Sequence, residues 1–140
     1  MTGLTHAAGG VLAGAAMGGD YRIAVAALAA LVPDWLQVNV PGGSSLASGL
    51  FGHRGISHWL ITAVGVAAGV ALISPSLAVY VLAGWGSHII LDVFSNGAPA
   101  LWPLPRITLA HIKSGGWMDA LVGGALLTLG VVILLARLLR

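Results

Sequence analysis

The chain has 140 residues, of which 58% are hydrophobic and 7% charged, and its mean hydropathy is +0.98. A water-soluble domain carries about 25% charged residues, so this composition excludes an ordinary soluble globule and calls for lipid around the chain. The net charge of +2 comes from six scattered Lys and Arg against four Asp, with no cysteine, which leaves nucleic acid without a basic patch and rules out disulfides and thiolate metal sites.

The first apolar run, Leu4 to Gly19, begins just before His6 and lacks both the basic flank and the cleavage point of a secretory signal, so it reads as a retained helix. A second run, Tyr21 to Val32, follows Gly19-Asp20-Tyr21. Both fall short of the roughly 20 residues of a full crossing, which predicts helices that are tilted, partly inserted or extended by buried loop. From Pro33 to Gly55 a Gly, Ser and Pro-rich loop carries Asp34, His53 and Arg54. A third helix is expected over Ser57 to Ile73, with Ser57 as its cap, and a fourth over Leu77 to Asp92, the two joined tightly at Ser74-Pro75-Ser76. After a second loop holding Pro99, Pro103 and Pro105, the strongest apolar segment runs from Met118 to Ala136. The expected fold is an all-α integral membrane helical bundle of about five helices, forming a single domain over residues 1–140. Pairs such as Gly10 with Gly14, Gly65 with Gly69 and Gly123-Gly124 suit close helix packing in lipid and would permit self-association into a homo-oligomer. Gly84 and Gly86 would make room for Trp85 or for a ligand.

If these runs cross a bilayer alternately, His6, Asp34, His53, His58, His88 and Asp92 all reach one face, with His111 and Asp119 nearby. Asp20, Arg22, Arg137 and Arg140 fall on the other. Imidazole nitrogen and carboxylate oxygen are the zinc ligands left when thiolates are absent. His88 and Asp92 are four apart, which on a helix puts them on one face about 5–6 Å apart. Ionisable groups within membrane segments are costly and mark function. The pattern predicts a polynuclear metal site at a membrane surface. Arg54 suits either bidentate contact with a phosphate or snorkelling to the interface. Trp35, Trp59, Trp102 and Trp117 read as an interfacial belt. His111 reads as a solvated loop histidine. Arg22, Arg137 and Arg140 balance Arg54, Arg106 and Lys113, so loop charge leaves orientation undecided.

The strings Thr5-His6, Val32-Pro33-Asp34, His53-Arg54-Gly55-Ile56-Ser57-His58, Gly86-Ser87-His88-Ile89-Ile90-Leu91-Asp92, Asn96-Gly97 and Leu101-Trp102-Pro103 resemble, in order and over nearly the whole chain, the YdjM-like membrane-bound metal-dependent hydrolases. More distantly the pattern is similar to zinc-dependent phospholipases C and single-strand nucleases. The resemblance implies a small, helical, multi-pass protein of the bacterial inner membrane with a hydrolase site. It places His6, Asp34, His53, His58, His88 and Asp92 on the family's motif positions, with Asp92 the candidate bridging ligand. The chain departs from the family at Leu36, where a second aspartate is usual, and at Asp119, where a glutamate often opens the last helix. Asp119 would serve as a ligand, act through water, or favour the helix N-terminus.

The expected activity is hydrolysis of a phosphoester, with a lipid headgroup or undecaprenyl-type phosphate as a natural substrate. One to three zinc ions would activate the attacking water, Arg54 would steady the developing charge, and either Asp34 or Asp92 would take the proton. The competing expectation is a non-catalytic membrane protein, its metal structural or sensing, or a divalent-cation carrier. A carrier needs polar groups along a continuous path, and the far halves of these helices hold almost none.

Overall fold

The computed structural model describes residues 1–18, 20–36 and 55–140. His53 and Arg54 therefore lie outside the described residues, as does most of the first predicted loop. Among the described residues the chain is all helical: α1 (Gly3–Met17), α2 (Arg22–Ala29), α3 (Val32–Trp35), a 3-10 turn (Ile56–His58), α4 (Leu60–Ala71), α5 (Pro75–Val93) and α6 (Trp117–Leu138). Five of the six α-helices fall on the five predicted apolar runs. The sixth, α3, occupies what reads in sequence as the start of a loop, because Pro33 fits the first turn of a helix as readily as it breaks one.

α5 and α6 are long and apolar enough to cross a membrane. Such a crossing is natural for α6, whose outer face is almost wholly exposed and carries Leu121, Leu127, Val131 and Leu135. α2 has only 8 residues, about 12 Å of helix, well below the roughly 30 Å of a hydrocarbon core.

Close backbone approach sets the arrangement. Gly10 and Gly14 of α1 lie so near Ala26, Ala27 and Ile23 that a Cβ on either would come within 3 Å of α2. Gly84 of α5 faces the Ala26 peptide, so α2 is wedged between α1 and α5 by glycines on both sides. Thus Gly84 makes room for a helix backbone and not for Trp85 or a ligand. Gly65, Gly69 and Gly86 have open space where a side chain would go. At the far end of the bundle, Tyr80 is buried beneath the Arg22 guanidinium, 5.0 Å from its ring, and Arg137 donates to the Ala16 carbonyl.

The difference between Gly84 and Gly86 gives a direct check. Gly84→Ala is expected to destabilise the protein by about 2 kcal/mol through overpacking. Gly86→Ala, with nothing to strike, should be neutral or gain up to about 1 kcal/mol of helix propensity. Thermal unfolding of the two variants in one detergent would measure both; equal effects would contradict this packing.

At the near end, the loop after α5 folds back onto it. Ser95 and Gly97 donate to the Asp92 carbonyl, Leu109 donates to Val93, and Ala98 exchanges two backbone bonds with Ile107. Ala98 and Ala100 then pack with Trp85, Ile89, Ala63 and Val32, a small core below the ionisable residues.

Candidate metal centre

The five described candidate ligands sit at the near ends of four elements. His6 is on the first turn and a half of α1, Asp34 in α3, His58 closes the 3-10 turn, and His88 and Asp92 occupy the last turns of α5. Because α1 runs antiparallel to α5 while α2 runs beside it, these positions meet at one depth. His58 Nε2 lies 3.1 Å from His88 Nε2, 3.5 Å from Asp34 Oδ1 and 3.3 Å from Asp92 Oδ2. His88 Nε2 is 3.7 Å from Asp34 Oδ1 and 3.8 Å from Asp92 Oδ2. His6 stacks on His88 at 3.8 Å between ring centroids and places Nε2 3.4 Å from Asp92 Oδ1. The two oxygens of Asp92 thus face different imidazoles, as a bridging carboxylate requires.

The outer partners fix which nitrogen points inward. His88 Nδ1 is 2.7 Å from the Ala30 carbonyl, which can only accept, so this nitrogen carries the proton and the neutral ring turns the Nε2 lone pair to the centre. His58 Nδ1 is hydrogen-bonded to the Ser57 hydroxyl at 3.0 Å, and the Trp85 indole N–H holds the Ser57 carbonyl at 2.8 Å. Ser57 therefore orients an imidazole; the residue at the N-cap position of α4 is Trp59, and the cap expected from Ser57 is not formed. A histidine ligand whose second nitrogen is tied to a carbonyl or hydroxyl is the usual support of a metal site.

The donor set fits a cation. Nε2 atoms and carboxylate oxygens crowded into one buried space repel one another unless a proton or a cation lies between them, and in the metal-free protein the His58 imidazole and the Met1 ammonium, 3.5 Å from Asp92 Oδ1, supply that charge. His6 Nδ1 is buried with no hydrogen-bond partner among the described residues. Single atoms from His6, Asp34 and His88, and from His58, His88 and Asp92, form two groups whose members lie within 4.8 Å of one another. These buried clusters can hold a metal ion. Burial pushes the Asp34 carboxyl up, but the hydrogen bond from His58 and the neighbouring imidazoles outweigh it and hold that carboxyl below the ordinary range. Burial likewise pushes the His58 imidazole down, and Asp34 and Asp92 more than reverse this, raising it.

Asp119 is hydrogen-bonded to three other residues. Its Oδ1 accepts from the Thr5 hydroxyl at 2.6 Å, and its Oδ2 accepts from the backbone N–H of Thr2 at 3.0 Å and of Gly115 at 2.7 Å. It ties the start of α6 to the start of α1, adjacent to the cluster through Thr5 and His6. His111 is exposed in the loop. Trp59 and Trp102 stack at 4.3 Å, while Trp35 and Trp117 are exposed. Sequence reading missed the roles of Ala30, Ser57 and Trp85. A backbone carbonyl leaves no trace in side-chain identity, although the bulky Trp85 between two glycines was a visible sign that α5 is closely approached there.

Residues 1–139 match the family described as YdjM inner membrane protein. No curated protein and no solved structure matches the chain, zinc-dependent phospholipases C and single-strand nucleases included.

Proposed function

The chain belongs to the YdjM inner membrane protein family, and we propose that within that membrane it is a metal-dependent hydrolase of phosphoesters, lipid-linked phosphates among them. The observation that carries this reading is the convergence of three imidazole Nε2 atoms and two carboxylates, with the Nδ1 atoms of His58 and His88 held from behind. In this reading α5 and α6 cross the bilayer with the shorter helices packed alongside. His6, Asp34, His58, His88 and Asp92 hold one to three divalent ions, zinc foremost, and His53 completes the set. Bound there, the cation supplies Lewis acidity and a lowered pKa for water.

The chain's own residues divide the remaining work. Asp34 is 30% exposed while the other four described ligands are at most 2% exposed, so Asp34 is the carboxylate placed to accept a proton at the open edge. Asp92, whose two oxygens face different imidazoles, is better suited to bridging than to proton transfer. Arg54 would orient the phosphate by bidentate hydrogen bonds.

Asp119 is proposed as a brace and not a ligand, since both its oxygens already serve Thr2, Thr5 and Gly115. Asp119→Asn should lower stability by about 1–3 kcal/mol, by weakening buried charge-assisted hydrogen bonds, and leave bound metal per protein unchanged. Metal analysis beside thermal unfolding would show this, and loss of a metal equivalent would place Asp119 among the ligands.

The near-complete burial of four ligands favours a second reading, a closed structural or sensing site. The deciding experiment strips the purified protein of metal, restores zinc, and assays bis(p-nitrophenyl) phosphate and phospholipid vesicles, with His58→Ala as the control. Zinc-dependent cleavage that His58→Ala abolishes supports hydrolysis. Tight zinc binding without cleavage of any ester selects the structural or sensing reading.

A further inference from the structure

Among the described residues, the surface beside the exposed member of the cluster is apolar. Asp34 is the member of the described set that reaches this surface. Trp35, 66% exposed, and Leu36 follow it directly. The 3-10 turn beside it presents exposed Ile56, and Trp102, 54% exposed, stacks on Trp59 next to His58. These segments are held together from below: Val32 and Ala100 pack on the same core, and Leu60 donates to the Ala100 carbonyl at 2.8 Å. Across residues 32–36, 55–60 and 98–104 the ionisable side chains are Asp34 and His58 alone, both belonging to the cluster.

A buried cation site calls for an anionic ligand, whereas a rim this apolar disfavours one that is polar throughout. Building on the hydrolase reading for the head group, we propose that this edge admits an amphiphile, whose phosphate or phosphonate head passes Asp34 to the cluster while its hydrocarbon chain lies against Trp35, Leu36 and the Trp59–Trp102 stack. An interfacial belt would need only scattered aromatic anchors. Here a parallel pair, its planes 8° apart, forms a flat wall next to the ligand His58.

Alkylphosphonates test this without turnover, because their carbon–phosphorus bond is not hydrolysed. Zinc-loaded protein in amphipol would be titrated calorimetrically with ethylphosphonate and octylphosphonate. Octylphosphonate is expected to bind at least about tenfold tighter, since each buried methylene adds to transfer free energy. Trp35→Ala and, separately, Trp102→Ala should reduce that ratio at least about threefold. Leu72→Ala, at the exposed far end of α4, should preserve it. Equal affinity for the two phosphonates, no phosphonate binding, or a ratio untouched by both tryptophan variants would overturn the proposal. A preserved chain-length preference without cleavage of any ester would overturn the hydrolase reading and leave this one standing.

Discussion

His88→Ala is expected to reduce divalent-cation affinity at least about 100-fold, more than the 10–100-fold typical of losing an outer-shell partner. His88 belongs to both ligand groups and has one nitrogen to give, the other being tied to Ala30. It also stacks on His6 and faces His58, so its removal frees two further ligands to move. Competition against a chromophoric chelator would read the affinity, with helical content by circular dichroism as the folding control. Ser57→Ala provides the graded comparison: it deletes only the hydroxyl behind His58 and should cost about tenfold. An unchanged affinity in a folded His88→Ala protein would remove the proposed centre.

The stabilisation conferred by zinc is expected to grow steeply with pH, in the opposite sense to the stability of the metal-free protein. In the metal-free state, Asp34 and Asp92 raise the His58 imidazole above its ordinary value of 6.5. Charged His58 therefore contributes stability that is fully present below pH 6.5 and is lost as pH rises through the higher folded-state value. With zinc the proton is a competitor, because the ligand must be neutral. Affinity should rise up to about tenfold per pH unit for each proton displaced, until the folded-state value is passed, and then level off. Thermal unfolding from pH 5.5 to 8.5, with chelator and with zinc, would show two curves that diverge as pH increases. Parallel curves would mean that zinc does not compete with a proton at these side chains.

Much of this arrangement was legible before the fold was known, and the reasons are physical. Long apolar runs punctuated by Ser74-Pro75-Ser76 and by proline-rich loops mark α4, α5 and α6, because proline and the residue before it end one helix and open the next. Alternation along those runs was enough to bring His6, Asp34, His58, His88 and Asp92 to one end, and the i,i+4 spacing of His88 and Asp92 fixed their shared helical face. The details that escaped depend on contacts between distant segments. Pro33 reads as a helix breaker until α3 is seen to begin there. Ser57 has the identity of a helix cap, yet its hydroxyl turns back to His58 because Trp85 holds its carbonyl. Asp119 reads as a ligand, as acting through water or as helix-end charge, and its hydrogen bonds to Thr2, Thr5 and Gly115 come from segments its sequence position does not reveal.

The most direct measurement is zinc-edge X-ray absorption on protein loaded with one equivalent of zinc and washed free of excess. Ligation by His6, His58, His88 and the two aspartates predicts a first shell of nitrogen and oxygen at about 2.0–2.1 Å, with the outer-shell scattering of imidazole rings. A spectrum of hydrated zinc without imidazole scattering, or protein that retains no zinc after washing, would contradict the account.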